Sequence, residues 1–208
     1  NYTVVEVPGK FTITPAPVTI TLDPKTKAYG TVDPGLTYSV AGLIGSDAIG
    51  GLTVSRTIGE TVAGGPYAIT ASNPVFSSGI ASNYAITYVT STLTITKATL
   101  TVTANNITRK FNETDPALTL TIVGLAGGDT QASVLTGSVV RAAGIAVGTY
   151  PITVGTLAAS ANYAFTFVPG TFTIAKGDQV ISWSPITSYS YQPAQPFSWS
   201  NNATITTG

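Results

Sequence analysis

The chain has 208 residues, of which 43% are hydrophobic and only 9% are charged, and its formal net charge is zero. Such a neutral chain offers no electrostatic surface for nucleic acid or anionic lipid, so neither is predicted as a partner. Cysteine and histidine are both absent, which excludes disulfides, thiolate or imidazole metal sites, and Ser-His or Cys-His catalysis. We therefore predict no catalytic residues, no metal and no cofactor, and expect a protein that is not an enzyme.

The chain opens on a pattern that recurs twice further on. An Asn-Tyr pair precedes an alternating strand sequence, and the pairs lie at Asn1-Tyr2, Asn83-Tyr84 and Asn162-Tyr163. The spacings, 83 − 1 = 82 and 162 − 83 = 79 residues, each correspond to a whole small domain. Asn favours a turn, and Tyr packs its ring while its hydroxyl forms a hydrogen bond. We therefore predict four anchors of the repeat: Asn83, Tyr84, Asn162 and Tyr163.

Residues 1–16 are interpreted as the end of a preceding module. Phe11 and Ile13 alternate with threonines, a period of two that predicts a half-buried strand. Because this segment begins in mid-repeat, we expect the chain to be an excerpt of a longer protein.

The first full copy is predicted over residues 17–97. Val18, Ile20 and Leu22 alternate with threonines, which predicts a strand with one buried face. Asp33 precedes a proline and is predicted to form a turn. Asp47 is predicted to cap one short helical turn, because its carboxylate can accept otherwise unpaired backbone N–H groups.

The second full copy is predicted over residues 98–176 and repeats this plan. Asp115 takes the place of Asp33, and Asp129 begins the better helix candidate, residues 129–135. Glu113 lies two residues before Asp115, a spacing that also suggests an acid/base pair. The turn is the preferred interpretation, since the first copy has Thr31 in place of Glu113.

Two other features have both a structural and a binding interpretation. Arg56 and Arg141 occupy equivalent strand positions, where a solvated sheet face is preferred over contact with a saccharide. Residues 177–208 depart from the repeat and are interpreted as the start of a different module. Their aromatic residues predict an incomplete core rather than a platform for stacking sugars.

The combination of motifs resembles a known family. Asn-Tyr, Leu-Thr-Ile-Thr-Lys-Ala-x-Leu-Thr-Val-Thr-Ala, Gly-Leu-x-x-x-Asp and Gly-Thr-Tyr-Pro-Ile-Thr are similar to the MBG-type repeats of large bacterial surface proteins, including filamentous-haemagglutinin-like adhesins. The opening Gln-x-Ile-x-Trp of the last segment resembles a bacterial Ig-like module. The resemblance implies a mainly β fold of tandem, elongated modules with at most one short helix each, β-grasp-like or alternatively an Ig-like sandwich. It carries no catalytic residue to this chain.

These observations predict a structural role: a stalk or repeat segment of an adhesin or fibre on the bacterial cell surface, projecting a distal functional region. Its expected partners are the neighbouring modules of the same chain. One alternative is an adhesive module that contacts glycan or a partner surface. Another is a self-assembling subunit of an extracellular fibre, in which an exposed edge strand pairs with other copies.

Overall fold

The computed structural model describes residues 1–183 and 203–207. The chain forms mainly short strands, which confirms the predicted mainly β fold with at most one short helix per copy. The elements of the first copy are β1 (Ala16–Leu22), β2 (Lys25–Ala28), β3 (Tyr38–Ala41), β4 (Ala48–Arg56), β5 (Tyr67–Ser78), a 3₁₀ turn (Ala81–Asn83), β6 (Tyr84–Val89) and β7 (Ser91–Thr96). Those that follow are β8 (Ala98–Ala104), β9 (Ile107–Lys110), β10 (Leu120–Val123), α1 (Gln131–Val134), β11 (Leu135–Thr136), β12 (Val140–Arg141), β13 (Gly148–Thr153), β14 (Ala158–Ala159), β15 (Tyr163–Val168), β16 (Gly170–Ala175), β17 (Gln179–Trp183) and β18 (Ala203–Thr207).

The chain divides into two compact units. The first comprises Asn1–Thr99 together with Leu125–Asp129 and Ser160–Ala164. The second comprises Leu100–Gly124, Thr130–Ala159 and the described part of Phe165–Gly208. Two segments of the second repeat copy thus belong to the first unit.

The first unit contains two sheets that mix parallel and antiparallel pairs. In one sheet β1 lies between β3, its antiparallel neighbour, and β6, its parallel neighbour. In the other, with the order β2-β7-β5-β4, β7 runs parallel to β2 and antiparallel to β5. β1 and β2 therefore follow each other along the chain but lie in different sheets.

The core of the first unit follows from the alternation of apolar residues. Val18, Ile20 and Leu22 are 0%, 0% and 2% exposed, which confirms the predicted buried face of β1. Leu22 packs with Leu93 and other residues of the β2-β7-β5-β4 sheet. Side chains from both sheets therefore share one apolar interior.

The long hairpin of β4 and β5 corrects the predicted helical turn after Asp47. No helix follows Asp47, because β4 begins at Ala48 and pairs with β5 as far as Arg56. Gly50 and Gly51 in this segment disfavour a helix, since glycine loses the most backbone freedom on ordering. The strand alternative satisfies the same backbone groups through the ladder.

The second unit is built around two larger sheets, with the orders β10-β8-β15 and β12-β13-β16-β9. Ile152, Phe172 and Ile174 form the centre of its core and are at most 1% exposed. Helix α1 lies within the predicted segment 129–135, but its N-cap is Thr130, whose side chain accepts the N–H of Ser133 at 3.3 Å. Asp129 is therefore not the cap.

The strand predicted around Phe11 and Ile13 is not formed. Residues 1–15 contain no strand, and the two side chains are 88% and 84% exposed. A strand needs a partner for its backbone groups. In the sheet of the first copy, the position that residues 11–13 would take by the repeat is already filled by β7, between β2 and β5.

The predicted module at 177–208 falls largely outside the described residues. Within the described part, β17 and β18 pair antiparallel, with Ile181 opposite Ile205. Tyr189, Tyr191, Phe197 and Trp199 lie outside the described residues.

Candidate functional site

The Asp33 cluster joins four charged side chains of the first copy. Lys27 Nζ lies 2.6 Å from Asp33 Oδ1 and 2.5 Å from Glu60 Oε2. Arg56 Nε donates to Asp33 Oδ2 at 2.5 Å, and its Nη2 donates to Glu60. The Lys27 side chain is only 4% exposed, so its charge is balanced by two carboxylates at the edge of the core. This pairing is what a largely buried ammonium group requires.

Arg56 also braces the loop between β4 and β5. Its Nη1 donates to the carbonyl oxygens of Thr57 and Gly59 at 2.9 and 2.7 Å, and its guanidinium lies 5.6 Å from the ring centre of Tyr67. The ring of Tyr67 fits so closely that a Cβ added to Gly59 would lie 2.0 Å from it. The Arg56 side chain is 13% exposed, which corrects the predicted solvated sheet face.

The Asp115 cluster repeats this arrangement in the second copy with different residues. Asp115 Oδ1 accepts from Arg109 Nε at 2.5 Å, and Asp115 Oδ2 accepts from Arg141 Nε at 2.6 Å. The guanidinium of Arg141 lies 4.8 Å from the ring centre of Phe172 and 5.5 Å from that of Tyr150. Its side chain is 17% exposed, so Arg141 does not lie on a solvated face either.

The electrostatics of the two clusters oppose acid/base chemistry. Hydrogen bonds from Arg56 and then Lys27 lower the pKa of Asp33, and those from Arg141 and Arg109 lower the pKa of Asp115. A carboxylate stabilised in this way stays ionised at neutral pH and does not take up a proton. Glu113 is turned to the chain itself, since its Oε2 accepts the Lys110 N–H at 2.8 Å.

Each anchor tyrosine, Tyr84 and Tyr163, forms a hydrogen bond with an aspartate of its own copy, and this is a second arrangement that both copies share. Tyr84 OH donates to Asp47 Oδ2 at 2.6 Å and accepts the N–H of Ile44 at 3.1 Å. In the second copy, Tyr163 OH donates to Asp129 Oδ2 at 2.6 Å and accepts the N–H of Ala126 at 3.0 Å.

The two asparagines that precede these tyrosines differ in their contacts. Asn83 ends the 3₁₀ turn, and its N–H donates to the carbonyl of Ile80 at 3.0 Å. Asn162 accepts two backbone bonds: its Oδ1 takes the N–H of Val62 at 3.0 Å, and its carbonyl takes the N–H of Ala98 at 3.0 Å. The second asparagine therefore joins segments that are far apart in the sequence.

An open groove in the second unit is lined mainly by aliphatic and small polar residues. Its lining includes Leu118, Leu120, Leu135, Val139 and Leu157. No aromatic or charged side chain is among the residues that line it. Its lining therefore offers neither an aromatic ring on which a sugar could stack nor a charged group to pair with an ionic ligand.

A metal centre and a membrane span have no support in the described part of the chain. Residues 1–183 and 203–207 contain no group of three or more Asp, Glu, His or Cys side chains placed to hold a metal ion. Among the same residues, no helix is long and apolar enough to cross a membrane.

The comparison with protein families identifies the repeat. The sequence profile of the MBG domain (YGX type) matches residues 18–94 and again residues 100–173. The chain belongs to the MBG domain family. MBG repeats are structural modules that are typical of bacterial surface proteins. No curated protein and no solved structure is significantly similar to the chain.

The YG in the family description corresponds to a Tyr-Gly pair, and the contacts of this pair were missed by the sequence reasoning. In the first MBG copy it is Tyr29-Gly30; the second copy has Phe111-Asn112 instead. Tyr29 OH donates to Asp129 Oδ2 at 3.1 Å, and its ring meets that of Tyr163 edge to face, with centres 5.4 Å apart. The difference between the copies at this position is a sequence signal that could have indicated a special role.

Proposed function

We propose that this chain is a structural segment of a bacterial cell-surface protein, a stalk that acts outside the cell and projects a distal functional region. One observation carries the proposal. In both MBG copies the partly buried charged side chains brace the fold itself, as the Asp33 and Asp115 clusters do.

The two clusters use different residues but keep the same contacts, and this shared geometry supports a mechanical role. Lys27 is replaced by Arg109, yet each cation binds the aspartate of an Asp-Pro sequence, Asp33 in one copy and Asp115 in the other. Arg56 and Arg141 both lie over a tyrosine ring. Each also donates hydrogen bonds to the backbone carbonyls one and three residues further along the chain. In both copies these bonds fasten the loop that carries the aspartate to a β-hairpin. Neither arrangement leaves an acid, base or nucleophile aimed at a ligand.

A cell-surface display experiment tests the stalk directly. The 208-residue chain is placed between a membrane anchor and a known binding domain, and capture of bead-bound ligand is compared with the binding domain attached straight to the anchor. We expect the chain to improve capture of the bulky beads while leaving capture of free ligand unchanged. Equal capture of beads by the two arrangements would contradict a projecting role.

Two measurements on the purified chain separate the alternatives. An adhesive module would give saturable binding to members of a glycan array, whereas a stalk should bind none of them. A fibre subunit would show a sedimentation coefficient that increases with concentration, whereas a stalk should keep one sedimentation coefficient throughout a dilution series. We expect no glycan binding and no association.

A further inference from the structure

The Tyr29-Gly30 turn of the first copy contacts two segments of the second copy, and all of these residues lie within the first compact unit. Asp129 Oδ2 accepts hydrogen bonds from two tyrosines, Tyr163 at 2.6 Å and Tyr29 at 3.1 Å. Tyr163 is only 3% exposed, whereas Asp129 and Tyr29 are half-buried, so the carboxylate and both hydroxyls meet at a partly buried point. Hydrogen bonds to an ionised carboxylate are about twice as strong as those between neutral groups.

Glycine is required next to the tyrosine. Gly30 has a φ of +76°, and a Cβ added to it would lie 2.6 Å from Ala126 Cβ and 3.0 Å from the Gly127 nitrogen. Any side chain at this position would therefore meet both an unfavourable backbone conformation and a steric clash. The Tyr-Gly pair works as one element, in which Gly30 permits the close approach and Tyr29 supplies the hydrogen bond and the ring.

A second contact lies beside the first. The side chain of Asn162 accepts the N–H of Val62 at 3.0 Å, and its carbonyl accepts the N–H of Ala98. The anchor Asn-Tyr pair of the second copy therefore binds the first copy through both of its residues.

The same anchor in the first copy is a natural comparison. Tyr84 and Asp47 form the same hydrogen bond at 2.6 Å, but the ring of Tyr84 stacks on Phe76, a residue of its own copy, at 5.5 Å. The hydroxyl chemistry of the anchor is thus kept whether or not a second tyrosine is bound. At Asp129 a tyrosine from the other copy, Tyr29, joins this hydrogen bond.

We propose that the Tyr-Gly turn is a docking element for the MBG copy that follows it, and that its receptor is the Asp-Tyr pair of that copy together with the preceding Asn. In this chain the element is Tyr29-Gly30 and the receptor is Asp129, Asn162 and Tyr163. Phe111 in the second copy has no hydroxyl to donate, so the sequence Phe-Asn marks a copy without this element. The inference rests on the proposed stalk, because it supplies the joint between consecutive copies.

A double-mutant cycle on the full chain tests the docking element. Tyr29→Phe removes one hydroxyl and keeps the ring, and Asp129→Asn keeps the shape of the acceptor. If the two groups act together, the effects of the single changes on the unfolding equilibrium constant will not multiply in the double variant. We expect the departure to be about tenfold in urea titrations. The matched control is the cycle of Tyr29→Phe with Asp47→Asn, for which the effects should multiply.

Amide exchange gives a readout that does not depend on global stability. In native conditions Asn162→Ala should accelerate exchange of the Val62 amide hydrogen at least tenfold, because the acceptor of that N–H is removed. The Ile20 amide reports unfolding of the whole unit, so its exchange should accelerate less than that of Val62. Independent effects in the first cycle, or a Val62 acceleration no greater than that of Ile20, would overturn the docking element. Either result would leave the display experiment standing, so failure of the joint and failure of the stalk are distinguishable.

Discussion

At the scale of single residues, Asp33 should control the stability of the first copy in acid. Its folded pKa is lowered by the hydrogen bonds from Arg56 and Lys27, so the stabilisation is complete above the ordinary aspartate pKa of about 3.9. It is lost as the pH falls through the folded value. We expect Asp33→Asn to lower the free energy of unfolding at neutral pH by about 1–2 kcal/mol.

The measurement is urea unfolding at a series of pH values from 7 down to about 3. The Asp33→Asn variant should lose less stability than the original chain as the pH falls below about 4, because it has no carboxylate left to protonate there. Glu6→Gln is the control, since Glu6 is exposed in the segment without strands. Parallel pH curves for the original chain and Asp33→Asn would contradict the importance of the cluster.

The same scale shows how much of the candidate site could be predicted. The repeat identified Asp33, Asp115, Asp47 and Asp129 as important positions, but it predicted turns and helix caps for them. The pattern did not reveal which side chains bind these carboxylates. Arg56 follows Asp33 by 23 positions and Tyr84 follows Asp47 by 37, and such pairs depend on which strands become neighbours. A charge on a strand therefore says little about whether it points to water or to another charge.

At the scale of elements, Phe11 and Phe172 hold the same place in the repeat but should respond oppositely to truncation. Phe172 in β16 is 0% exposed, whereas Phe11 is 88% exposed. We expect Phe172→Ala to lower the free energy of unfolding by about 3–5 kcal/mol, because it removes a large ring and leaves a cavity. Phe11→Ala should change it by no more than about 0.5 kcal/mol. Urea titration of both variants measures the difference, and equal costs would show that residues 1–15 are packed in solution.

Prediction of elements from the sequence worked where alternation and packing agree. The buried face of β1 follows from Val18, Ile20 and Leu22, because residues of the β2-β7-β5-β4 sheet pack against it. The strand around Phe11 has the same alternation but no sheet to join. The helical turn after Asp47 failed for another reason, since the pairing of β4 with β5 overrode a local capping signal. The local pattern predicts which face of a strand is buried, whereas its position in a sheet depends on tertiary pairing.

At the scale of the whole molecule, the division into units predicts how the chain unfolds. The chain passes between the two units after residues 99, 124, 129, 159 and 164. The segments that carry Asp129 and Tyr163 are therefore preceded and followed along the chain by residues of the second unit. Unfolding of the second unit would release these segments and with them the contacts to Tyr29.

We therefore expect one cooperative transition rather than two independent ones. Leu93→Ala changes the core of the first unit and Phe172→Ala that of the second, and both side chains are 0% exposed. Each substitution should lower the stability reported by slowly exchanging amides in both units, followed at Ile20 for the first and Ile152 for the second. Chains of independent modules behave differently, because a core substitution then affects only its own module. If Leu93→Ala left the exchange of Ile152 unchanged while Phe172→Ala left that of Ile20 unchanged, the segments Leu125–Asp129 and Ser160–Ala164 would not couple the units, and a stalk of such modules would yield one copy at a time.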